Sequence, residues 1–291
     1  MKRWLDSYFL SSGNRVDFLA ARAIVAGNTL WLVLSRPDLP ALASWPSIFW
    51  QNVGPLQRVR FLVVQIPPLA EALLYWVLVV ALLMVMFGFG TRITGVVAAI
   101  LLYRLAAMEP VIGSIGLLWF QGFTPLILAL IIIAAASPRS RESFDDRWPV
   151  SAIRTLFALY YFFCGFEKLV VIGPAWLTAS SMRTLILAQQ SRQVFLTPLA
   201  STVASSAVLC WLISISTILI ELGFPLVLVS RLARRILLPA AWLGHIGIAL
   251  CLGLVFPDWP LLLLFVNWDA LAARLRPHFA KRVQPMQLGT A

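Results

Sequence analysis

Residues 70–88 read AEALLYWVLVVALLMVMFG, an apolar run interrupted only by Glu71. About 20 residues of helix cross a hydrocarbon core, so a run of this length constrains the fold more than any other feature of the chain. In lipid the backbone must pair with itself, which leaves helices or closed barrels. The run is continuously apolar rather than alternating, so a barrel strand is excluded. Comparable runs predict eight helices, over 16–35, 70–88, 93–108, 115–136, 150–172, 202–230, 236–256 and 260–273. A ninth span over 59–68 is the alternative, and it would invert everything after it. Composition agrees: 60% of residues are hydrophobic and 12% charged, against about 45–50% and 25% in soluble domains. The expected fold is all-α, a polytopic membrane helix bundle of one domain. A basic segment, 1–15, precedes it and a basic tail, 274–291, follows.

The net charge of +11 lies in short clusters between apolar runs. That pattern sets membrane orientation, and no stacking motif or zinc spacing points to nucleic acid. With eight spans the termini share a side. That side collects most of the arginines and lysines, while Arg36, Arg58, Arg60, Arg183 and Arg192 fall on the other. The expectation is a bacterial plasma-membrane protein with both termini cytoplasmic, its tail resting on anionic lipid. Between the first two spans, Trp45, Phe49 and Trp50 are expected at headgroup depth. Cys164, Cys210 and Cys251 lie inside apolar runs without CxxC spacing and read as buried thiols. The basic start is followed by Asp17, Arg22 and Asn28, too polar for a cleaved leader, so the first helix is expected to stay.

Ionisable groups inside such helices are costly, and they face the bundle interior or mark function. Arg154, Tyr161 and Lys168 recur every seven residues on the fifth helix, with Cys164 one turn before Lys168. Ser214, Thr217 and Glu221 form a stripe on the sixth. His245, Asn267, Asp269, Arg104 and Gln121 complete the set, with Asp17, Arg22 and Asn28 on the first helix. Each has a plain alternative. Arg154 and Asp269 can be interfacial, Glu221 can clamp Arg22 or Arg104, and His245 can be a satisfied core histidine. Asp17 and Arg22, five residues apart, need partners on other helices. A lone histidine offers no metal set. Lys168 can act as a base where it is desolvated; it can also pair with its neighbour Glu167 or reach the outer interface.

Three segments, YYFFCGFEKLVVIGPAWL, ILIELGFPLVL and LGHIGIALCLGLVFPDWPLLLLFVNWD, resemble the HTTM superfamily. The early DFLAARAIVAGNTLWLVL, with Arg22, is similar to that family's first helix. The family includes the membrane core of the vitamin K-dependent gamma-carboxylase. The resemblance implies that Lys168 deprotonates a vitamin K-like hydroquinone, which then reacts with oxygen to give a strong base. Glu167 stands where the carboxylase has a second lysine. His245 falls at the family's late-helix histidine and Glu221 at its acidic position. The segment RLAAMEPVIGSIGLLWFQG departs from the family by carrying few polar residues.

Two functions follow as expectations. In the first, the chain is a membrane enzyme for a quinol-like or other lipophilic substrate. Lys168 is its base and His245 its proton partner, with Tyr161, Glu167, Glu221, Arg22 and Arg104 binding substrate or cofactor. In the second, the chain is a non-catalytic membrane subunit whose partner protein supplies a soluble domain. Transport would call for inverted repeats, which the sequence lacks.

Overall fold

The computed structural model of the chain describes residues 6, 8–9, 15–47, 50, 64–112, 117–136, 147–189, 198–253, 256 and 259–280. The described residues are helical throughout, with no strand among them. In chain order the helices are α1 (Arg15–Leu34), α2 (Pro68–Phe87), α3 (Thr91–Ile112), α4 (Leu117–Ala136) and α5 (Trp148–Glu167). They continue with α6 (Ala179–Gln189), α7 (Pro198–Ser205), α8 (Ala207–Gly223), α9 (Leu226–Val229), α10 (Arg231–Leu252) and α11 (Trp268–Ala280). Short 3-10 segments cover Leu39–Ser44 and Trp259–Phe265.

Five described helical stretches are long and apolar enough to cross a membrane, six if α7 and α8 count as one broken span. Helices of this length and apolarity mark an integral membrane protein. The eight expected spans are not reached, and local chemistry explains the difference. The run 202–230 is split at Ser206, whose hydroxyl accepts from Leu209 N and starts α8 after a bend of 97°. It is split again at Phe224–Pro225, and Ser230 caps α10 by accepting from Ala233 N. The run 260–273 is not one helix either. Asn267 Oδ1 accepts from Ala270 N at 2.9 Å and opens α11. α4 runs over Leu117–Ala136 and its sequence is apolar along that length, with its side chains described from Gly122 on. Residues 59–63 of the alternative ninth span, Phe49, and the side chains of Glu109 and Gln121 lie outside the described residues. Trp45 is exposed, as expected at an interface.

α1 to α5 pack as sequential neighbours around the larger core, with α1 central against α2, α4 and α5. Phe18, Val25, Leu32, Leu82, Leu102, Leu130 and Phe157 fill it. Tyr75 on α2 donates to Val33 O on α1 at 3.0 Å. α6, α7, α8 and the end of α10 share a smaller core of Met182, Ile186, Ala200, Val203, Cys210 and Leu252. All three cysteines are free, Cys210 and Cys251 buried and Cys164 partly so.

Two polar ties hold helices to one another at depth. Arg104 on α3 meets Glu71 on α2, with Nη2 2.5 Å and Nε 3.0 Å from Oε2, and Nη2 also donates to Val64 O. Their side chains are only 11% and 3% exposed. At the other tie, Asp17 on α1 lies 3.6 Å from Arg154 on α5. Asp17 Oδ1 also accepts from Trp268 N and Asp269 N, capping α11, while Arg154 donates to Leu264 O and Val266 O. Arg154 is therefore a strut that ties α5 to α1 and to the chain before α11. The starts of α1, α5 and α11 lie together at one end of the bundle.

Removing one member of the Arg104–Glu71 pair strands the other charge. Arg104→Met is expected to cost about 3–5 kcal/mol, and the double change with Glu71→Leu to recover most of it. Denaturation of the detergent-solubilised protein, run on both variants, checks this ordering.

Candidate functional site

α5 does not stop at Glu167. It widens into a π-helical turn over Lys168–Ile172 and then tightens into a 3-10 turn over Gly173–Leu177. Gly173, at φ 72°, adopts a conformation that a side chain would strain, and Pro174 cannot donate to a continuing helix. A π-turn inside a membrane helix is uncommon and is found mostly at functional positions. Here it carries Lys168.

One turn earlier, Gly165 sets the approach of α8. A Cβ built on Gly165 would lie 2.8 Å from Glu221 Cβ and 3.2 Å from Leu222 N. The two backbones therefore cross in contact, as small residues permit between membrane helices. That crossing brings Glu221 beside Lys168, whose Nζ lies 2.5 and 2.6 Å from the two carboxylate oxygens. Nζ also points to Cys164 O at 3.5 Å and sits 5.6 Å from the centroid of the Trp176 indole. The side chains of Lys168 and Glu221 are 25% and 16% exposed. Ser214 on α8 donates to Trp176 O and so pins the turn that presents the indole. The Trp176 indole N–H is buried and meets no acceptor among the described residues.

Two turns back along α5, about 10 Å by helical rise, lies a second polar contact. Tyr161 Oη and His245 Nε2 on α10 are 2.6 Å apart. Tyr161 stacks on Phe224 with centroids 4.3 Å apart, and Phe224 meets Phe265 edge-on. His245 lies edge-on to both Tyr161 and Phe256. The arrangement is a cluster of packed aromatic rings with two polar pairs beside it. A tyrosine–imidazole pair occupies one level and an ammonium–carboxylate pair the next.

The structure thus brings together Tyr161, Lys168, Glu221 and His245 from three helices. It separates the rest of the expected set. Glu167 is exposed on the face of α5 turned away from Glu221, so the expected Glu167–Lys168 pair gives way to Lys168–Glu221. Glu221 does not clamp Arg22 or Arg104. Arg104 is held by Glu71, and the Arg22 guanidinium packs against Gly88 at the end of α2. Asn267 and Asp269 belong to the cap of α11. Among the described residues no three His, Cys, Asp or Glu side chains gather as a metal set.

Gly165, Trp176 and Phe224 are site residues that spacing rules did not single out. Gly165 carried a readable signal: glycine costs a helix interior about 1 kcal/mol against alanine, so one beside a charged pair implies a close crossing. Nothing in the sequence tied Phe224 to Tyr161, because their contact spans two helices.

Gly165→Ala should push α5 and α8 apart. A destabilisation of about 1–3 kcal/mol is expected from the overpacked crossing, read as a lower unfolding temperature. Gly122→Ala, where an added Cβ meets nothing within 4 Å, should not lower that temperature and should raise it slightly through helix propensity. No protein-family model, curated protein or solved structure matches the chain, so the case for this site rests on the geometry of Lys168, Glu221, Tyr161 and His245.

Proposed function

We propose that the chain is a membrane enzyme of the HTTM type that binds a quinol-like or other lipophilic molecule at the cluster between α5, α8 and α10. The observation that carries this reading is the Lys168–Glu221 pair at the π-turn, with Tyr161 and His245 aligned two turns away. A ring bearing hydroxyl or carbonyl oxygens fits the chemistry of that cluster. Glu221 accepts, Lys168 donates, the Trp176 indole N–H is a donor still to be used, and Tyr161 and Phe224 offer flat apolar walls.

In the proposed step Lys168 passes a proton to Glu221, which leaves a neutral amine beside a neutral acid. The amine then takes the proton of a bound hydroxyl: the O–H bond breaks, an N–H bond forms, and the oxyanion stays beside the ammonium re-formed on Lys168. His245 holds the Tyr161 hydroxyl and so fixes the ring that faces the substrate. A bound quinol would supply the oxygen-dependent chemistry that the family resemblance implies. Recognition of any peptide substrate is assigned to a partner protein. With both termini in the cytoplasm of a bacterial cell, α5 runs outward and Lys168 lies toward the external leaflet.

A second reading is a non-catalytic subunit in which the pair is interhelical glue. It is favoured by the closure of the pair: Lys168 already donates to both oxygens of Glu221, and a roughly 400 Å³ groove lies on α2 and α3 instead.

Mass spectrometry of bound lipids separates the two. Under the enzyme reading, wild-type protein retains a quinone or prenyl-type lipid and Lys168→Ala loses it, while Lys168→Arg stays folded without activity. Absence of an enriched ligand in wild type, with Lys168→Ala unfolding at lower temperature and Lys168→Arg rescuing it, would sink the enzyme reading.

A further inference from the structure

Arg22 is left without a protein partner. It sits two turns inside α1, its Nε is buried, and among the described residues no hydrogen bond or carboxylate reaches it. Its guanidinium lies flat against the α2–α3 turn: a Cβ on Gly88 would be 2.7 Å from both Nη1 and Nη2. Gly88 is also in the left-handed region at φ 87°, so glycine there serves both the turn and the approach of the cation. The end of α2 offers that cation a favourable dipole. Met84 O and Val85 O there accept from Gly88 N and Phe89 N, and among the described residues the guanidinium makes no hydrogen bond to the end of α2. Arg15, seven residues earlier and therefore on the same face of α1, adds a second positive charge and acts on Arg22 as a like charge. Arg22 meets the turn, Arg15 adds its charge from the same face of α1, and no described carboxylate pairs with Arg22.

The same turn closes one end of an apolar groove. Leu73, Trp76, Val77, Val80 and Met84 of α2, with Thr94 and Val97 of α3, line it. Phe89 N donates to Met84 O, and the Thr94 hydroxyl donates to Phe89 O and Gly90 O, so the groove's end is built from the residues of the turn itself. From Leu73 to Met84 the groove runs about 16 Å along the helix, the depth of one leaflet of a core about 30 Å thick. Phe87 and Phe89 flank the turn, both more than 60% exposed.

We infer that the α2–α3 hairpin binds one anionic phospholipid, with its phosphate between Arg22 and Arg15 over the Gly88 turn and an acyl chain in the groove. The phosphate supplies the acceptors that the guanidinium lacks, in the bidentate geometry arginine favours. The acyl chain covers exposed apolar side chains that no other part of the described chain covers. The groove faces away from the core, and the site shares no residue with the Lys168–Glu221 and Tyr161–His245 pairs.

Native mass spectrometry of the full chain in mild detergent tests the assignment. Phosphatidylglycerol and phosphatidylcholine with identical acyl chains are added in turn, and inorganic phosphate alone in a third arm. Wild type should retain phosphatidylglycerol over phosphatidylcholine. Arg22→Gln should weaken that preference about fivefold, the scale of one arginine at a lipid surface. Val80→Trp, which fills the groove and leaves every charge in place, should weaken retention of phosphatidylglycerol itself. Because Arg22→Gln also alters a part-buried packing contact, Arg15→Gln at the exposed position is run beside it and should lower the preference as well. Equal retention of the two lipids by wild type overturns the proposal. So does a preference unchanged in both arginine variants, or a stabilisation by inorganic phosphate that matches the lipid's and survives Val80→Trp, which would mark a free-anion site.

Discussion

Hydrocarbon accepts and donates no hydrogen bonds, so each interruption of a helix has to be answered by another part of the chain. Arg154 shows how much can hang on one such answer. The segment Trp259–Phe265 is a 3-10 turn, and the break after it frees the carbonyls of Leu264 and Val266. Arg154 takes both, and its remaining charge is met by Asp17. Asp17 in turn accepts the first amides of α11. Three separated stretches of chain are thereby fixed at one end of the bundle by two side chains. The same demand explains the serines at 206 and 230, which cap α8 and α10 where apolar sequence alone would have run on.

The Arg104–Glu71 and Lys168–Glu221 ion pairs are alike in chemistry and different in setting. Arg104 meets Glu71 with nearly complete exclusion of solvent, a further bond to Val64 O, and no break in either helix. Its planar fork suits a fixed bidentate contact. Lys168 meets Glu221 beside a π-turn, next to an indole donor without an acceptor, and retains a quarter of its side-chain exposure. An ammonium is a compact, rotatable donor and can be redirected with little loss. The first pair is built to stay, and the second is built where an incoming oxygen could compete for either partner.

Much of this was legible in the sequence. The runs behind α1, α2, α3, α5 and α10 announced themselves by length and apolarity, and the seven-residue recurrence of Tyr161 and Lys168 correctly placed both on one face. The demand that buried charges find partners was also readable, but not which partners. Lys168 has Glu167 as its sequence neighbour, yet successive helical residues point about 100° apart, and only the crossing at Gly165 selects Glu221. Arg22 and Arg104 sit on helices whose rotation spacing cannot fix, and each turned to α2 instead of to the Lys168 cluster. Helix breaks were the other blind spot. In apolar sequence a single serine or asparagine looks like a tolerated polar residue, and it becomes a cap only when the backbone has a reason to turn there.

The crossing at Gly165 and the turn at Gly173 do complementary jobs. The first removes a side chain so that α8 can lie against α5, and Glu221 then comes level with the last α-helical turn. The second ends the helix five residues later and leads the chain back so that Trp176 covers Lys168 from above. The π-turn begins at Lys168 and widens the chain after it: the Lys168 N–H still closes the α-helical bond to Cys164 O, so the side chain leaves α5 on the face it shares with Tyr161 and Cys164, and the carboxylate of Glu221 meets it there. Whether the cluster handles a quinol or only joins three helices, a lysine held by one carboxylate, one carbonyl and one ring face is oriented without being packed solid. That combination distinguishes it from every other charged side chain described in the bundle.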